Sequence, residues 1–192
     1  MNSTLKEIVD QYDPNLPLDH ASTIPASWYT NRDFYEHELE TVFSSSWQLA
    51  TRSDQVREPG QYVTSDIAGE PIVIVRGSDR VLRAFFNVCR HHAAAVMTEP
   101  QGKAAQLRCP YHGWTYSLEG ELKGTPDFAG VCDFDRSANG LVPLDCAISE
   151  PWVFVRAEAG PSLAEYLGDD LRGQHENSRV GSRFLVINIS KA

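Results

Sequence analysis

Two pairs of residues in this sequence are of metal-binding type and stand at ligand spacing. Cys89 and His91 are separated by one residue, Cys109 and His112 by two, and seventeen residues lie between the pairs. Thiolate favours thiophilic centres such as zinc and iron–sulfur clusters, and imidazole suits zinc and iron. Two of each therefore admits a tetrahedral zinc or a two-iron cluster with mixed ligation. Zinc fingers commonly pair Cys with Cys and His with His, whereas each segment here offers one of each. The bland alternative is that the four merely fill two turns. Two metal-type pairs in a chain with only four cysteines, too few for a disulfide scaffold, argue for a bound metal instead.

Such ligands need rigid loops, and the surrounding sequence supplies strands to hold them. QYVTSDI, EPIVIVR, VLRAFFN, AQLRCP, TYSLEGEL, LVPLDCAI and WVFVRA are short, rich in Val, Ile, Phe and Tyr, and punctuated by Gly, Pro and Asp. They predict an all-β fold with short flanking helices, an antiparallel sandwich or barrel. EPIVIVR and VLRAFFN are joined by Gly77, Ser78, Asp79 and Arg80, a polar hairpin loop. Each ligand pair follows a strand, which predicts two neighbouring loop tips at one end of a sheet. From Asn31, the spacing of Phe34, Tyr35, Leu39, Val42 and Phe43 predicts one amphipathic helix. A second short helix is expected at SLAEYLGDDL after Pro161.

The expected organisation is an N-terminal extension over 1–45, a metal-binding β domain over 46–160, a short helical segment over 161–178 and a divergent tail over 179–192. That tail, RVGSRFLVINISKA, carries three basic residues and no acidic one, whereas residues 1–178 hold fourteen basic against twenty-six acidic. Its FLVINI run reads either as a final strand or as a segment that has lost its partner.

C-R-H followed by C-P-Y-H-G-W closely resembles the Rieske [2Fe–2S] signature of ring-hydroxylating and related non-haem iron oxygenases. The likeness extends through SWYTNRDFYEHELETVFSSSWQLATRSDQV, FFNVCRHH, CPYHGWTYSLEGEL and GLVPLDCAISEPWVFV, roughly residues 25–175. It implies a helix and first strand leading into a Rieske-type domain with two cluster-binding loops. Cys89 and Cys109 would bind one iron, and His91 and His112 the other. Within the family the general look is nearest to choline monooxygenases, which convert choline to betaine aldehyde in glycine betaine synthesis. Respiratory Rieske proteins carry a disulfide at the positions of Ala94 and Tyr111, so the resemblance is to the low-potential soluble class. His92, beside a ligand, reads as a loop or supporting residue rather than a fifth ligand. Cys132 and Cys146 read as small packed hydrophobes, His20, His37 and His175 as surface histidines, and Trp114 as core filler or a cover over the cluster.

In this family the cluster passes electrons from a ferredoxin or reductase to a mononuclear Fe(II) held by two histidines and a carboxylate. After Cys146 the sequence has only His175, so the resemblance implies that this second site is absent. The expected origin is a truncated or alternatively spliced oxygenase product, a monomer or weak oligomer where full-length relatives are trimers, with turnover doubtful on its own. Another expectation is a stand-alone Rieske electron carrier or interaction module.

Composition narrows the classes further. A formal charge of −9 argues against nucleic acid, whose phosphates need surplus Lys and Arg. No run of eighteen apolar residues occurs, so no membrane span is expected. The first twenty residues hold four acidic side chains and one lysine, unlike a secretory or transit leader. The expected location is the cytoplasm, or the chloroplast stroma if a transit peptide is missing.

Overall fold

A computed structural model describes residues 3–168. Three short helices begin the chain: α1 (Ser3–Val9), α2 (Ala26–Thr30) and α3 (Arg32–Glu38). Leu5, Ile8 and Phe34 form their own small core. Trp28 stacks on Phe34 at 4.7 Å and donates from Nε1 to the Ile8 carbonyl at 2.9 Å. Asn31 caps α3 by accepting from the Phe34 amide at 2.9 Å.

The single amphipathic helix expected from Asn31 is not what forms. After Glu38 the helix widens into a π-helical turn, Leu39–Phe43, in which the Ser44 amide bonds back five residues to the Leu39 carbonyl. Thr41, Ser44, Ser45 and Ser46 each turn a hydroxyl onto a carbonyl four residues earlier, a habit that bends and loosens a helix. The extra residue per turn breaks the 3.6-residue phase of the predicted stripe. Phe34 is buried, while Tyr35, Val42 and Phe43 are exposed.

Ten strands follow: β1 (Gln48–Arg52), β2 (Gln61–Ile67), β3 (Glu70–Arg76), β4 (Leu82–Phe86), β5 (Gln101–Lys103), β6 (Leu107–Arg108), β7 (Thr115–Tyr116), β8 (Leu122–Gly124), β9 (Pro143–Ser149) and β10 (Trp152–Arg156). They make a seven-stranded antiparallel sheet ordered β1-β10-β9-β4-β3-β2-β5 and a three-stranded sheet ordered β6-β7-β8. The predicted strand TYSLEGEL is two strands. Ser117 to Gly120 turn between them, with Gly120 at φ 91° and the Ser117 Oγ accepting from the Glu119 and Glu121 amides.

β3 lies deep in the large sheet and is buried on both faces. Val73 and Val75 face a core shared with the small sheet, where Leu107, Trp114, Tyr116, Leu118 and Leu122 also lie. Ile72 and Ile74 face a second core with Val56, Val63, Leu144, Val153 and Val155. Each of these aliphatic side chains contributes about 1.5–3 kcal/mol by leaving water. That two-sided burial is why EPIVIVR reads as a continuous apolar run rather than an alternating one.

Residues 161–168 belong to a separate unit. Residues 163–168 are helical, started by a reciprocal cap in which Ser162 and Glu165 bond each other's backbone amides. The remainder of the predicted SLAEYLGDDL helix and the whole 179–192 tail lie outside the described residues. No helix among the described residues is long and apolar enough to cross a membrane.

Candidate metal centre

The two predicted ligand segments are built on one backbone plan. In the first, the Cys89 amide donates to the Ala94 carbonyl at 2.8 Å and the Ala93 amide donates to the Cys89 carbonyl at 3.0 Å. In the second, the Cys109 amide donates to the Trp114 carbonyl at 2.9 Å and the Gly113 amide to the Cys109 carbonyl at 3.1 Å. In both, the residue four after the cysteine turns the chain with a positive φ, 56° at Ala93 and 73° at Gly113. The histidines occupy the intervening turns, His91 two residues after its cysteine and His112 three after.

The loops spring from different sheets, not from one sheet end as the sequence suggested. The first follows β4 of the large sheet, and the second is the hairpin connection between β6 and β7 of the small one. AQLRCP supplies only Leu107–Arg108, which pair with β7.

Cys89 and Cys109 are 3% and 2% exposed and sit in the same apolar core. Burial pushes the Cys109 thiol up. The Tyr111 and His112 backbone amides act the other way by donating to its sulfur, and the neighbouring Cys89 thiol raises it again. The Tyr116 hydroxyl, fully buried, lies 3.3 Å from Cys89 Sγ and accepts from the Arg90 amide at 3.0 Å. Burial first, and Cys89 second, hold that phenol well above its ordinary range.

The imidazoles gather at the other end. The ligand nitrogens of His91, His92 and His112 lie within 4.8 Å of one another. His91 lies flat on the Trp114 indole, 4.7 Å between ring centres and 4° between planes, and meets His112 edge-on at 4.8 Å. His92 and His112 are exposed, and His91 is half-buried. Burial lowers the His91 pKa, and the two neighbouring imidazoles lower it further.

His91 Nδ1 is buried and has no hydrogen-bond partner. A buried polar nitrogen without a partner is unfavourable, because it has given up water for nothing in return. With two adjacent buried thiols and amides aimed at one sulfur, the donor set fits a thiophilic metal group. No second group of three or more His, Cys, Asp or Glu with ligand atoms so close occurs among the described residues.

The other expected bystanders stay apart. Cys146, in β9, is pushed up to about 12 by burial, whereas Cys132 is exposed and not the packed hydrophobe expected. His20 and His37 lie outside the imidazole group, and His175 lies outside the described residues. Sequence reading missed Tyr116, which it took only as part of a strand; nothing in TYSLEG distinguishes a core phenol from one aimed at sulfur.

Comparison with known proteins adds three findings. The model of the Rieske [2Fe–2S] domain matches residues 46–135. The chain is 38% identical over 160 residues to the chloroplastic choline monooxygenase of Arabidopsis thaliana, and 39% identical over 146 residues to the carnitine monooxygenase oxygenase subunit of Escherichia coli strain K12. These matches cover 83% and 76% of this chain but only 38% and 39% of the relatives, so the chain spans about two fifths of their length. Among solved structures, a quaternary ammonium Rieske monooxygenase in complex with L-carnitine superposes with TM-score 0.76 at 34% identity, over 81% of this chain and 44% of that one. A Rhodococcus naphthalene 1,2-dioxygenase superposes at 0.75 and 28% identity, over 86% of this chain and 37% of that one.

Proposed function

We propose that residues 46–135, which the model of the Rieske [2Fe–2S] domain matches, hold such a cluster, with Cys89 and Cys109 on one iron and His91 and His112 on the other. The observation that carries this reading is the buried, unpartnered His91 Nδ1, on a ring stacked on Trp114, which belongs to the core that holds both cysteines. When bound, the cluster supplies reversible one-electron transfer. The chain's own residues set its surroundings. The apolar core keeps water from the sulfur end, Trp114 fixes the plane of His91, and the Tyr116 hydroxyl is placed to donate to Cys89. His92 lines the imidazole end without being needed as a ligand.

The physiological reading is an oxygenase component that takes electrons from a ferredoxin or reductase and passes them toward a mononuclear iron. The relatives named for choline and carnitine support quaternary ammonium compounds as the substrate class of the whole system.

Anaerobic reconstitution with iron and sulfide tests the proposal. About two irons and two acid-labile sulfides per chain, with a reduced-state EPR signal of mixed Cys/His ligation, are expected. Cys109→Ala and His91→Ala should each abolish both the colour and the signal. One zinc per chain in place of iron would overturn the assignment.

A further inference from the structure

We propose that Asn87 is a positioning residue for the cluster: its side-chain amide stands in for a missing strand residue and clamps the stem of the first loop. The inference rests on the ligand reading above. The two loops are closed differently. The second is closed by a ladder, Leu107 opposite Tyr116 and Arg108 opposite Thr115. The first has only one bridge, Val88 opposite Ala95.

Beyond that bridge the Asn87 carbonyl holds the Val96 amide only loosely, at 3.4 Å, and the side chain takes over. Its Nδ2 donates to the Met97 carbonyl at 2.7 Å, and its Oδ1 accepts from the Met97 amide at 2.9 Å and the Val96 amide at 3.1 Å. Exchanging both bonds with one residue is what a backbone peptide does in an antiparallel ladder. Asn87 is 3% exposed and Val96 1%, so water replaces the lost contact poorly there, while Met97 is half-buried. Its own amide donates to the Pro71 carbonyl at 2.8 Å, which fixes the clamp to the start of β3. Cys89 and His91 follow within four residues. Their placement against Tyr116 and Trp114 depends on a stem that this amide holds shut.

The test uses the full chain, metal-free and reconstituted. In the metal-free protein, Asn87→Ala should speed hydrogen exchange at the Val96 and Met97 amides roughly tenfold or more, while β2 and β3 keep their protection. In the reconstituted protein it should release iron to a chelator about 10–100-fold faster. It should also lower the reduction potential of the clusters that remain, because the contact between Tyr116 and Cys89 loosens. A residue that only stabilised the fold would leave that potential where it was. Asn87→Asp sets a carboxylate oxygen against the Met97 carbonyl in place of the donor, so Met97 exchange and iron release should again be faster; it carries those two readings, and not the potential, if Asn87→Ala does not fold. Unchanged exchange at Val96 and Met97 overturns the clamp. Faster exchange with unchanged iron release and potential overturns the positioning role. A wild-type chain that takes up no cluster overturns the ligand reading instead, and the exchange result then still decides the clamp.

Discussion

The Tyr116 hydroxyl accepts from the Arg90 amide, which leaves its single proton for Cys89 Sγ, 3.3 Å away. A donor on the sulfur stabilises the more negative, reduced state and raises the potential. Tyr116→Phe should therefore keep the cluster and lower its potential by tens of millivolts, on the order of one neutral hydrogen bond. A redox titration reading the same potential in both proteins would show that the proton points elsewhere. The paired turns give a second prediction. Ala93 at φ 56° bears a side chain where Gly113, at 73°, bears none. Ala93→Gly should leave stability unchanged or raise it by up to about 1 kcal/mol, while Gly113→Ala should cost about 1–2 kcal/mol in denaturant unfolding. An added Cβ at Gly113 would also crowd the Arg108 guanidinium and Pro126 at 3.3 Å. At this scale the sequence offers candidates where chemistry is stereotyped: Cys89, His91, Cys109 and His112 stand out by type and spacing, and the fold brings the two cysteines into one core and the two imidazoles into contact. Tyr116 and Asn87 do not stand out, because their roles depend on neighbours brought together by the fold.

Among the elements, strands with a strong apolar pattern were readable almost to the residue. QYVTSDI and EPIVIVR coincide with β2 and β3. The hairpin between EPIVIVR and VLRAFFN also forms, with Gly77 and Val81 bonded and Arg80 at φ 66°. Its lock is Asp79, which binds the Arg83 guanidinium with both carboxylate oxygens, at 2.8 and 2.7 Å. That contact holds the Asp79 carboxyl down to about 2. Because the folded pKa lies below the unfolded value near 3.9, the contribution is present above about pH 4 and is lost as pH falls toward 2. The wild-type thermal midpoint should drop more steeply over that window than that of Asp79→Asn; parallel curves would remove Asp79 from the acid response. Elements without a pattern of their own were missed. α1 and α2 are only seven and five residues long and exist through contacts such as Trp28 on Phe34. β5 is exposed along its length and is defined by pairing with β2. The π turn could not be read because hydroxyl back-bonding, not hydrophobicity, decides it.

For the molecule as a whole, the origin of the two loops matters most. One belongs to the large sheet and the other to the small one, so a group bound by both joins two sheets across their shared core. Metal that binds only the folded form stabilises it by mass action. Removing iron by chelation should lower the thermal midpoint by several degrees, and Leu122 and Tyr116 amides in the small sheet should lose more protection than those of β10. Equal loss everywhere would mean that the small sheet does not depend on the bound group. The two-sheet arrangement escaped the sequence because β6 and β7 are two residues each, too short to show which partner they choose. β3 gives this architecture a cost in variation. From Ile72 to Val75 it has no solvent face, and its mutational tolerance should be low at each of these residues rather than at every second one. A change of volume at Ile72 or Ile74 presses on the backbone that carries Val73 and Val75 against the cysteines' core. The two loops thus inherit an evolutionary constraint from a face of the sheet that they never touch.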